Sequence, residues 1–239
     1  MRAILTIARK ELSSFFDSLG GYIILILFLL TTGLFTWITQ TNILYVGRAD
    51  LSIFFTVAQW TLFFFAPALT MRSFSEELER GTFDLLQTKP VSLWQIVAGK
   101  FLAYFSIILI ALVFTLPYYV TVSFLGDIDN AEVIGGYLGL ILSGAVYVAI
   151  GIFASTLTKN QIVSFLVALA ISAFFQVLAD LLMPVLPVWL GEIMFYFSLP
   201  EHFWSVARGV IDSKDIVFFL SFTALGLYSA VEILNSKRW

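Results

Sequence analysis

Residues 101–125 read FLAYFSIILIALVFTLPYYVTVSFL, twenty-five positions without one Lys, Arg, Asp or Glu. About 20 apolar residues in a helix cross a hydrocarbon core, whereas a spanning strand shows about ten residues alternating apolar and polar. This run is continuously apolar, and in lipid every backbone amide needs an internal partner, so it reads as a transmembrane helix. Working outward, residues 21–40, 51–71, 133–157, 162–183 and 216–231 form similar runs, interrupted only by Asp180. The expectation is an all-α polytopic membrane protein with six transmembrane helices. Composition agrees, because 60% of the 239 residues are hydrophobic and 12% are charged, about half the charge of a water-soluble domain. Six spans in this length leave no soluble catalytic domain, so water-phase chemistry has to come from a partner.

Orientation follows from the cations. Arg2, Arg9, Lys10, Arg72, Arg80, Lys89, Lys100, Lys159, Lys237 and Arg238 fall on one side, and Arg48, Arg208 and Lys214 on the other. The excess belongs in the cytoplasm, which places both ends of the chain inside the cell membrane, an inner membrane where there are two. The first run is not a cleavable signal, since no small-residue cleavage pattern follows Trp37.

Three segments are not spans. Residues 1–19 place Ile4, Leu5, Ala8, Leu12, Phe15, Phe16 and Leu19 at steps of three, four and seven among polar residues. That pattern suits an amphipathic helix on the inner membrane surface, the alternative being a plain basic start that orients the first span. Residues 72–100, RSFSEELERGTFDLLQTKPVSLWQIVAGK, form the longest cytoplasmic connection. Here Phe74, Leu78 and Leu85 share a stripe with Phe83 and Leu86 beside it, while Glu76, Glu77, Glu79, Arg80 and Asp84 point to solvent. Gly81 should break the segment into two short helices. An apolar and acidic patch of this kind suits a docking surface, whereas a solvated linker needs no apolar exposure. On the opposite side, residues 184–215 contain VLPVWLGEIMFYF, too short to cross; it suits an outer re-entrant or interfacial helical hairpin between spans five and six.

Several chemistries are excluded. Gly99-Lys100 is followed by Phe101 and has no Gly five residues earlier, so there is no G-x-x-x-x-G-K-[ST] phosphate loop and no ATPase. Zero Cys rules out disulfides, thiol catalysis and Cys-ligated metal, and the single His202 cannot build a His cluster. No cofactor is expected, and no basic block suggests nucleic acid. Asn160, Ser164, Ala168, Ser172, Gln176 and Asp180 recur every fourth residue on span five. Two readings stay open for this stripe, a helix-packing seam or a surface facing a pathway that includes Gln59, Ser172, Gln176 and Asp180. Gly135, Gly139 and Ser143 on span four read as a packing seam, and Pro117 should kink span three.

The run Arg72-Ser73-Phe74, Glu76-Glu77, Arg80-Gly81-Thr82 and Leu85-Leu86 with Thr88-Lys89-Pro90 resembles the pattern of ABC-2 type ABC transporter permeases, in which R-x-x-x-E-E-x-x-x-G-T follows span two. Lys10-Glu11-Leu12, Phe15-Phe16 and residues 203–225 extend the likeness over the chain. It is most similar to the gliding-motility permeases of Bacteroidota, with the nitrous oxide reductase maturation permease as a neighbour. The resemblance implies a single transmembrane domain over residues 1–239 that pairs with a second permease, identical or homologous, and binds two ABC ATPase subunits in membrane lipid. Residues 1–19 then resemble the elbow helix, and Glu76, Glu77, Arg80, Gly81, Thr82, Phe83 and Leu86 the ATPase-coupling segment. Asp84 departs from the Glu often found there. ATP-driven export is the implied function; a mechanical adaptor that passes ATPase motion to an outer partner without moving a solute is the alternative. An ion-coupled secondary transporter would show a midplane acid and an inverted repeat, and neither is evident.

Overall fold

The computed structural model describes residues 2–38, 50–83, 91–178, 194–210 and 212–237, with isolated positions 181, 187 and 190. Among these the chain is all helical, with no strand. In order, the helices are α1 (Arg2–Phe16), α2 (Leu19–Trp37), α3 (Ser52–Thr70), α4 (Ser75–Glu79), α5 (Leu93–Val113), α6 (Leu116–Leu125), α7 (Asn130–Leu157), α8 (Gln161–Ala173), α9 (Leu199–Ala207) and α10 (Ser213–Ser236). A π-helical turn, Phe174–Leu178, extends α8.

Five runs are long and apolar enough to cross a membrane: Leu19–Trp37, Ser52–Glu79, Leu93–Leu125, Asn130–Leu157 and Ser213–Ser236. The expectation of six is met here by five. The expected span over 162–183 appears as a shorter apolar helix, Gln161–Val177, and Asp180 lies outside the described residues.

Local chemistry sets the helix ends. Ser18 makes the corner between α1 and α2, its Oγ donating to the Phe15 carbonyl at 2.8 Å and accepting from the Gly21 N–H at 3.1 Å. Ser92 and Gln95 form a capping box that starts α5 eight residues before the expected span start at Phe101. Lys100 is therefore inside a helix, two turns from its start, and the expected cytoplasmic loop over 72–100 ends at Ser92. Asp129, Asn160 and Asp212 accept backbone N–H groups at the starts of α7, α8 and α10. Pro117 has no N–H to continue the helix, and the third span breaks into α5 and α6 there. At the C-terminal end of α7, the Lys237 Nζ donates to the Thr156 carbonyl at 2.6 Å. Burial, then the neighbouring Lys159, holds that ammonium below the usual lysine range.

Helix α7 is the axis of the bundle, buried over most of its length and packed by α3, α5, α8, α9 and α10. Glycines permit the close approach: a Cβ at Gly139 would meet the Phe203 ring of α9 at 2.9 Å, and one at Gly135 would overlap the Val206 carbonyl. Of the expected seam Gly135, Gly139 and Ser143, the two glycines receive helix α9. Helices α3 and α7 run parallel, since Phe55 packs on Gly136 and Thr70 on Gly151. Phe54, Phe55, Phe63 and Phe65 are buried between helices and only Phe64 of this group faces outward. Of the expected outer hairpin, residues 184–215, the apolar run lies mostly outside the described residues, and α9 is its described helix.

Candidate functional site

The densest polar arrangement lies where α1, the α3–α4 junction and α5 meet. Gly99 of α5 lets the amphipathic helix cross closely, because a Cβ there would sit 2.8 Å from the Ile7 side chain and 3.0 Å from the Ile4 carbonyl oxygen. One residue on, Lys100 turns inward and is only 2% exposed. Its ammonium donates to the Ser73 carbonyl at 2.6 Å, to Glu77 Oε1 at 2.8 Å and to Glu11 Oε1 at 3.4 Å. The Phe74 ring lies 4.8 Å from the same nitrogen. A lysine has three N–H donors, and here each has a partner from a different segment: α1, the turn after α3, and α4.

Burial decides how firm this joint is. Exposed ion pairs contribute little, which describes the Arg80–Glu76 pair at 2.7 Å, with side chains 69% and 31% exposed. The Lys100 side chain is 3% exposed and those of Glu77 and Glu11 are 17% each. Removing one partner from such a set strands a buried charge, at a cost of about 3–5 kcal/mol. Displacement of α4 therefore has to carry α5 and α1 with it or break these bonds.

The expected coupling residues divide accordingly. Glu76 pairs with the exposed Arg80. Glu77 was expected to face solvent; instead it points inward to Lys100, because the buried ammonium requires an anion. Gly81 ends α4 with φ +65°, and the Thr82 N–H closes on the Glu77 carbonyl at 3.0 Å, the wide bond of a helix-terminating glycine motif. Phe83 was expected on the docking surface; it is 3% exposed, edge-on to the fully buried Phe74 at 6.2 Å. An apolar ring next to a core phenylalanine is more stable inside than in water. Leu86 and the rest of 84–90 lie outside the described residues. The joint encloses one side of a cavity of about 570 Å³ whose lining includes Lys10, Glu11, Arg72, Glu76, Arg80 and Tyr104.

Of the expected pathway residues, the described ones, Gln59, Ser172 and Gln176, do not line that cavity. Gln59, Ser172 and Gln176 are buried inside the bundle, and Gln176 Oε1 accepts from the Tyr147 hydroxyl at 2.6 Å. At the opposite end, His202 Nδ1 lies 2.7 Å from Asp215 Oδ1 and Nε2 lies 3.1 Å from the Tyr196 carbonyl. That carbonyl only accepts, so the bond it makes needs a hydrogen on Nε2. The pair ties α9 to α10. It acts as a clasp between the two helices.

Sequence reasoning missed Lys100, Glu11 and the His202–Asp215 pair. The signal for the first was present in Ser92-x-x-Gln95, which starts the helix early enough to draw Lys100 into it.

A family model described as ABC-2 family transporter protein matches residues 5–195. The chain belongs to that family. No curated protein matches the sequence. Members of the family are the membrane component of an ABC transporter and not its ATPase, and they generally partner with an ABC ATPase. In the permease, the Lys100 joint lies directly on the segment that sequence pattern had marked for that partner.

Proposed function

We propose that the chain is one half of an ATP-driven ABC-2 exporter in a cytoplasmic membrane, with six spans, both ends inside, a second permease of identical or homologous sequence, and two ATPase subunits. The Lys100 joint is the observation that carries this reading. ATPase closure moves residues 76–90, and Lys100 passes that motion to α5 and α1 as a unit. Residues 1–19 act as the elbow on the inner membrane surface, and residues 184–215 as the outer hairpin. The resemblance to the gliding-motility permeases favours export in the service of gliding motility or secretion.

Purification from native membranes in mild detergent tests the assignment. A separate nucleotide-binding protein should accompany the permease, and its hydrolysis rate should fall on Lys100→Met. Robust ATP hydrolysis by the isolated chain would overturn the proposal.

A further inference from the structure

Hydroxyls inside these spans follow one habit with a local exception. Thr32, Thr61, Thr70, Ser106 and Thr223 each donate to the carbonyl four residues earlier at 2.6–2.9 Å, which satisfies a polar group within its own helix. Ser143 on α7 and Ser164 and Ser172 on α8 do not: each Oγ is buried and has no hydrogen-bond partner among the described residues. Gln59 on α3 is 2% exposed and its Nε2 is equally unpartnered. Thr36 on α2 shares the condition but stands on another helix.

Part of this set lies near one contact. The Phe63 ring of α3 lies 6.3 Å from Tyr147 of α7, and the Tyr147 hydroxyl bonds Gln176 beyond α8. Gln59 is one turn before Phe63 and Ser143 one turn before Tyr147, so both fall on the same side of the Tyr147–Gln176 bond; Ser172 falls one turn to the other side. Ser164, Ser172 and Gln176 lie on the buried face of α8, which packs on α7 and α3, and Gln59 and Ser143 are buried one turn from the contact of those two helices. A seam needed only for close packing is better served by Gly or Ala, as at Gly135, Gly139 and Ala168, because an unbonded buried polar atom carries a desolvation penalty that a small apolar residue does not. The π turn at Phe174–Leu178 falls at Gln176, and such turns are weak points in a helix that concentrate at functional positions.

From this we infer that the seam is a closed polar cleft with α8 as its moving wall, wetted when α8 separates from α3 and α7. The inference rests on the transporter reading. Gln59, Ser143, Tyr147, Ser172 and Gln176 are all uncharged, so a molecule using the open cleft presents hydroxyl or amide groups there and not a phosphate or an ammonium.

The sequence has no Cys, so single Ser143→Cys and Ser172→Cys variants report cleanly, with the fully buried Ala111→Cys as control. Intact cells with the native partners are treated with a small hydrophilic methanethiosulfonate, energised or ATP-depleted. Both seam variants should label at least roughly tenfold faster in energised cells, as expected when an open state of about 1% rises to 10% or more, while Ala111→Cys stays slow. Seam labelling no faster than Ala111→Cys in either state would overturn the cleft. Fast labelling that is equal in both states would overturn α8 as a moving wall. Ala168→Cys, on the same stripe, replaces Ser172→Cys if that variant does not accumulate. A dry seam in a permease that still copurifies with its ATPase refutes this inference alone; the transporter reading fails separately, by absence of that ATPase.

Discussion

Replacing Lys100 by Met keeps an unbranched side chain of similar length and removes the charge. The wild-type ammonium holds two carboxylates and a carbonyl at 2.6–3.4 Å, and Glu77 Oε2 is already buried without a partner. With the cation gone, Glu77 and Glu11, whose side chains are each 17% exposed, lose their shared counter-charge. Loss of one member of a buried pair costs about 3–5 kcal/mol, and a chain of this size loses about 2–4 °C of melting temperature per kcal/mol. Lys100→Met should therefore melt lower by roughly 6 °C or more in detergent, read by fluorescence-detected size exclusion after heating. Glu77→Gln should cost less by itself, because the amide oxygen still accepts from Lys100. The double variant Lys100→Met/Glu77→Gln should recover part of the single loss, with a coupling of about 1 kcal/mol or more, yet fail to stimulate the ATPase because α4 is no longer tied to α5. Wild-type melting for Lys100→Met, or strictly additive losses in the double variant, would refute the joint.

Gly99→Ala should loosen α1 from α5, since its Cβ meets the Ile4 carbonyl and Ile7, and limited proteolysis near residue 17 should speed up. Phe83→Ala should lower stability by about 3–5 kcal/mol through loss of its packing on Phe74; unchanged melting together with lost ATPase binding would return Phe83 to the docking surface. His202→Ala should destabilise more than Asp215→Asn, because the former leaves a fully buried carboxylate unpaired whereas the amide keeps a hydrogen bond; equal melting of the two would remove the clasp. The exposed Glu201, changed to Cys, should react with an impermeant thiol reagent from outside the cell, and labelling only after lysis would reverse the proposed orientation.

Five of the expected spans were legible because lipid imposes its demand locally: about 20 consecutive residues must be apolar whatever they later touch. The break at Pro117, the caps at Asp129 and Asn160 and the stop at Gly81 are likewise properties of a few adjacent residues. The coupling pattern at residues 72–90 was legible as a motif, but its side-chain directions were not. Glu77 and Phe83 look solvent-directed and exposed in sequence, and only tertiary structure turns them inward, one toward Lys100 and the other onto Phe74. Lys100 itself reads as a boundary charge, because its partners Glu77 and Glu11 lie 23 and 89 residues away. The same holds for the stripe on α8: spacing placed Ser164, Ser172 and Gln176 on one winding face, and packing against α3 and α7 decided that the face is enclosed. Composition and periodicity fix which residues enter the membrane; which buried charge meets which depends on helices from distant segments arriving together, a relation that no local window of sequence contains.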